Sequence, residues 1–216
     1  MRPSALAYCA PALAFGALSG VESWLPIAAY PFVYALKIVI VSGLLIGFRG
    51  PLRDVRPDAR LFVPAAILGL AVFISWIAID QFVPYPHFGS RLAFDPFGAI
   101  QDPLSRGLFL LVRFLGLIVV VPIMEELFFR SFMLRSITSV DFSSIAIGDY
   151  SLAAIWSVAA LSAAVHPEWL AASVASLAYT WTLGRTRSLF AVIVAHGSSN
   201  CALGAYIVAT HAWRLW

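Results

Sequence analysis

The stretch VVVPIMEELFFRSFMLR, residues 119–135, decides how the rest of the chain is read. An apolar run, GLFLLVRFLGLIVVVPIM at 107–124, leads straight into two carboxylates, Glu125 and Glu126, and a guanidinium, Arg130. No turn signal separates the run from the charges, so they fall within the depth of a bilayer. There a charged side chain costs about 2.5–3.5 kcal/mol unless it is paired or faces a cavity. The plain alternative is a helix end, with Glu126 and Arg130 as an ordinary i,i+4 surface pair. Polar positions on two later apolar segments count against it.

Composition sets the class. Of 216 residues, 61% are hydrophobic and 12% charged, with a mean hydropathy of +0.89. Repeated long apolar stretches at that balance imply an all-α polytopic membrane bundle of about seven transmembrane helices around an intramembrane polar site. The chain reads as one membrane domain, 1–216. Its arginines sit at segment ends and gather on no face, so nucleic acid is excluded as a partner. Cys9 and Cys201 lie in separate apolar runs and read as small buried hydrophobes, with no disulfide framework or zinc knuckle.

The expected spans are about 5–20, 27–47, 61–79, 107–137, 151–165, 168–184 and 188–210. The first has the ingredients of a signal peptide. Apolar sequence resumes almost at once, which favours a span. Lys37 sits inside the second, either snorkelling or paired in the interior. Gly43 and Gly47 there give a small-xxx-small packing spacing. Between 80 and 106, Pro84, Pro86, Pro96 and Pro103 oppose regular structure. Arg113, inside the fourth span, has no evident role. Glu168 reads as a helix-start residue, and His87 and His211 as loop and tail residues.

Arginine placement gives the orientation. With seven crossings and a cytoplasmic N-terminus, one face collects Arg2, Arg49, Arg53, Arg56, Arg60, Arg130, Arg135, Arg185 and Arg187. The other collects Arg91, Arg106 and Arg214, so the first face is cytoplasmic. Trp24, Trp76, Trp169, Trp213 and Trp216 then fall near the outer interface, as an aromatic belt.

Depth brings distant residues to one level. At about 1.5 Å per helical residue, Glu125 lies roughly 15 Å from the cytoplasmic face, His196 about 12 Å, Asn200 about 18 Å and His166 about 22 Å. His196 and Asn200 are i,i+4 in AHGSSNCALG and share a helix face. Gly197, Ser198 and Gly204 let that helix approach a neighbour closely. Pro122 lacks an N–H and frees the carbonyl of Ile118 just before the carboxylates. His166-Pro167 breaks a helix, which is tolerated at membrane depth where it lines protein or water. Taken singly, His166 also fits a core histidine, and His196 with Asn200 fits interhelical hydrogen-bond glue.

These residues resemble the CPBP (Abi) intramembrane proteases, which include the type II CAAX prenyl endopeptidases. EELFFR matches the EExxxR motif and HGSSN the HxxxN motif. His166 matches the histidine of FxxxH, with Ser162 where the family has Phe. The likeness covers about 105–204, the CPBP-like catalytic core, and in size and look extends to the exosortase-associated CAAX-protease-related group. It implies a multi-pass protein of the bacterial inner membrane acting on a membrane-associated protein or peptide. It also implies that Glu125 activates a water and that Glu126 and Arg130 orient and balance the site. His166 would hold the water, and His196 and Asn200 would bind the water or the oxyanion.

The expected function is therefore intramembrane endoproteolysis. One rival is a non-catalytic immunity or scaffolding protein of the same fold. Another is a transporter with Glu125 and Glu126 as a proton or cation site, which matching repeated halves would favour; the chain shows none. Glu125, His166 and His196 also make up a His₂Glu set, the ligand type of catalytic zinc. Against zinc, no HExxH-type pair fixes two ligands on one turn. A metal-bound and a metal-free water both stay open from sequence.

Overall fold

The computed structural model describes residues 4–216. Among these residues there is no strand, and eight helices follow one another. They are α1 (Ala5–Glu22), α2 (Tyr30–Gly47), α3 (Phe62–Phe82), the one-turn α4 (Pro96–Ala99), α5 (Pro103–Thr138), α6 (Leu152–Ala164), α7 (Trp169–Thr186) and α8 (Leu189–Thr210). Every expected span is helical, with ends displaced by a few residues.

Five helices, α1, α2 with its lead-in from Ile27, α3, α5 and α8, are long and apolar enough to cross a membrane. The 13-residue α6 rises about 20 Å, short of a hydrocarbon core of roughly 30 Å. α7 has the length but is too polar to qualify. Five of the seven expected spans thus have the length and apolarity of a crossing, and the other two form the α6–α7 hairpin. The hairpin leaves and returns on the same side, so the orientation of every loop is unchanged.

Local chemistry explains the helix starts. Asp102 accepts from the Ser105 N–H at 2.8 Å, with Pro103 at the first helical position of α5. Ser151 and Ser188 cap α6 and α8 in the same way. The long connection between α3 and α5 is not featureless: Asp95 caps α4, and Phe94 is buried against Tyr30 and Phe109.

α8 is the central helix, held between α3 and α5 by two glycines. A Cβ on Gly69 of α3 would stand 2.2 Å from the Ala195 carbonyl oxygen, and one on Gly197 would stand 2.6 Å from that of Ile118. Only glycine allows these backbones so close. Gly43 and Gly47 do not play this part, since nothing lies within 4 Å of their Cβ positions.

Buried ion pairs tie the remaining helices in. Lys37 has an interior partner: its ammonium meets Glu22 at the end of α1 and Ser19 at 3.1 Å. Asp54, in the loop between α2 and α3, receives Tyr8 at 2.8 Å, Ser131 at 2.5 Å and Arg135 at 2.8 Å. Arg130 and Arg135 are therefore buried partners and not interface charges. Trp76 and Trp216 likewise line the interior cavity and do not join a belt. Cys201 is exposed on α8, contrary to the buried expectation, and Cys9 is half-buried.

Candidate active site

The site begins with a change of pitch in α5. Residues Gly116–Val120 form a π-turn, and the Val121 N–H bonds the Gly116 carbonyl five residues back. In that register the Leu117 carbonyl would look to residue 122, which is proline and has no N–H. Asn200 of α8 supplies the donor: its Nδ2 gives a hydrogen bond to the Leu117 oxygen at 2.9 Å. Sequence reasoning placed the orphaned carbonyl at Ile118, one residue too late, because it assumed α-helical pitch. A second π-segment, Leu127–Met133, carries Arg130. Such π-bulges often mark functional sites.

The two glutamates are treated differently. Glu126 has no exposed surface. Its Oε1 accepts from His196 Nδ1 at 2.7 Å and from Arg130 Nη1 at 3.3 Å. Arg130 Nε lies 3.2 Å from Oε2, an ion-pair contact without hydrogen-bond alignment. Glu125 faces a cavity of about 660 Å³. Among the described residues its carboxylate accepts no hydrogen bond, and His196 Nε2 lies 3.9 Å from it.

The six expected residues come together. Glu125, Arg130, His166, His196 and Asn200 line the cavity, and Glu126 sits behind them. His166, at the tip of the α6–α7 hairpin, donates Nδ1–H to the Ser162 carbonyl at 2.8 Å. Ser162 thus holds the histidine through its backbone, which a side-chain change from Phe leaves intact. Trp76 packs edge-on against the His166 ring, with centroids 6.0 Å apart.

Two supporting residues were missed. Ser176 receives the other arm of Arg130, through its hydroxyl at 2.9 Å and its carbonyl at 3.3 Å. Tyr179 stacks on the His196 imidazole, with centroids 5.1 Å apart and planes 23° off parallel, and lies under the Arg130 guanidinium. They lie i,i+3 on one face of α7, a helix that also carries Ser173, Thr180 and Thr182. Several polar residues of α7 share such spacings, so nothing in the sequence singles this pair out.

The fit to a metal is poor. Metal–ligand bonds of about 2.0–2.2 Å put two ligand atoms no more than about 4.4 Å apart. Glu125 and His196 meet that span at 3.9 Å. Among the described residues, however, no three His, Cys, Asp or Glu side chains gather closely enough to hold an ion, so His166 does not complete the set.

Residues 107–202 match the family model described as type II CAAX prenyl endopeptidase Rce1-like. Over this segment the chain is similar to the Rce1-like family. The match spans the π-turns of α5, the α6–α7 hairpin and the polar face of α8, and so contains all six site residues. No curated protein and no solved structure matches the chain. The matched segment lies in a multi-pass membrane protein, and its polar side chains converge on one cavity of about 660 Å³.

Proposed function

We propose that the chain is an intramembrane endopeptidase that uses Glu125 to activate a water. The observation that carries this is the unequal placement of two adjacent carboxylates. Glu126 is consumed by His196 and Arg130, while Glu125 is presented to the cavity. A water oxygen can sit at hydrogen-bond distance from both Glu125 and His196 Nε2, which are 3.9 Å apart.

The histidine tautomers assign the other parts. His166 gives its Nδ1–H to a carbonyl and His196 to a carboxylate, so in each neutral ring Nε2 is an acceptor for a water hydrogen. Asn200 spends one N–H on Leu117 and has a second for the oxyanion. In the step, Glu125 takes a proton from water as its oxygen bonds the peptide carbonyl carbon. The C–N bond then breaks, and Glu125 returns the proton to the leaving amine.

The substrate class is a membrane-associated protein or peptide. The test compares new protein N-termini in membranes bearing the wild-type chain and the Glu125→Gln variant. Termini present only with the wild type are expected; identical profiles would overturn the reading.

A further inference from the structure

The connection between α3 and α5 also faces the candidate site. Seven consecutive residues, 88–94, line the same cavity as Glu125. Phe88, Gly89, Ser90, Leu92 and Ala93 keep exposed surface as well. The segment is therefore a single layer of chain between the cavity and the exterior.

Its tethers converge on one place. The Phe88 N–H donates to the Pro167 carbonyl at 3.2 Å, and the Trp169 indole N–H donates to the Pro86 carbonyl at 2.7 Å. Phe88 stacks on Trp169, with ring centroids 5.9 Å apart. Arg91 grips Glu168 twice, through Nη2 at 2.7 Å and Nε at 3.3 Å. All four contacts are made to residues 167–169, which directly follow His166 in the turn between α6 and α7. Glu168 is buried, whereas Arg91 keeps some exposure. Removing the arginine would strand a buried carboxylate without its counter-charge.

Two left-handed residues bracket the arginine. Gly89 has φ +82° and Ala93 has φ +51°. A Cβ disfavours that conformation at Ala93, which persists only while the surroundings hold it. These are positions where a segment can swing by changing few dihedrals.

We propose that residues 88–94 form a lid, that the Arg91–Glu168 pair is its latch, and that closing the lid sets the turn carrying His166. This rests on the protease reading. A peptide entering past the connection breaks the latch and releases the His166 turn. Closure over the bound chain restores both, so water is activated only once the substrate is enclosed. Arg91 and Glu168 are then positioning residues that act on the reaction through His166.

The lid is read without any substrate. In protein lacking Cys9 and Cys201 and held in nanodiscs, Ala172→Cys places a thiol on the cavity wall. Ala191→Cys places one at a buried position off that wall. A charged methanethiosulfonate reacts with a buried thiol at a rate set by the open population. Arg91→Gln and Glu168→Gln are each expected to speed reaction at position 172 at least about tenfold and to leave position 191 unchanged. Combined, they do no more than either alone, because the pair is already broken. New protein N-termini made by the latch variants fall in parallel, and Arg91→Lys, which keeps the charge, restores most of both signals. Unchanged reaction at 172, equal gains at 172 and 191, or additive effects overturn the lid. Faster reaction at 172 with undiminished proteolysis overturns the setting of His166. Latch-dependent reaction at 172 in a chain that cleaves nothing would keep the lid and remove the proposed activity.

Discussion

His196 serves both glutamates with opposite edges of one ring: Nδ1 is 2.7 Å from Glu126 and Nε2 is 3.9 Å from Glu125. The bond to Glu126 fixes the ring, and Tyr179 stacks against its face. The edge toward Glu125 is left for a third participant. Two neighbours in sequence therefore differ in kind, one holding the architecture and the other meeting the cavity.

This separates the effects of two substitutions. Glu125→Gln keeps size and polarity but removes the base, so proteolysis is expected to fall at least about 10²-fold with an unchanged melting temperature. Glu126→Gln leaves the buried Arg130 without its counter-charge and should destabilise the fold by about 3–5 kcal/mol as well as remove activity. N-terminal profiling with thermal melts of both proteins reads the contrast. A Glu126→Gln protein that is fully stable, beside a Glu125→Gln protein that is not, would reverse the assignment.

The Asn200–Leu117 bond is open to a double-mutant cycle. Asn200→Ala strands a buried carbonyl, at a cost of about 1–3 kcal/mol. Pro122→Ala restores an N–H opposite that carbonyl. In the Pro122→Ala background, Asn200→Ala should cost less by roughly 1 kcal/mol, measured by thermal unfolding in detergent. Strict additivity would mean that the amide is not replacing the proline's missing donor.

How far the sequence speaks depends on the range of the interaction. The apolar segments, and the common depth of Glu125, His166, His196 and Asn200, follow from helical rise and were legible. Partner choice was not. Lys37 meets Glu22 across fifteen residues and Arg135 meets Asp54 across eighty-one. Nothing local selects those carboxylates over others. Pro122 announced an orphaned carbonyl, but the π-turn that moved it from Ile118 to Leu117 is set by packing against α8.

Topology is tested with cysteines placed in a chain whose Cys9 and Cys201 are changed to alanine. Val140→Cys, fully exposed after α5, should react only from the cytoplasmic side. Ser90→Cys, in the connection after α3, should react only from outside. The α6–α7 hairpin adds two crossings or none, so the pattern does not depend on how deep it reaches. Reversed labelling would overturn the arginine-based orientation.

The last prediction concerns metal. Glu125 and His196 of the expected set lie 3.9 Å apart, within the span of a shared ion, and among the described residues no three His, Cys, Asp or Glu side chains gather to hold one. His166 is anchored by Nδ1 to the Ser162 carbonyl, on the far hairpin. A His₂Glu site would need that hairpin to shift toward α5 and α8. Activity is therefore expected to survive prolonged chelation, in protein carrying far less than one metal per chain by elemental analysis. His166→Gln, which keeps a polar group for the water, should leave measurable turnover. Loss of activity on chelation, recovered in proportion to added zinc and absent in His166→Gln, would establish the metal-bound water and retire the free one.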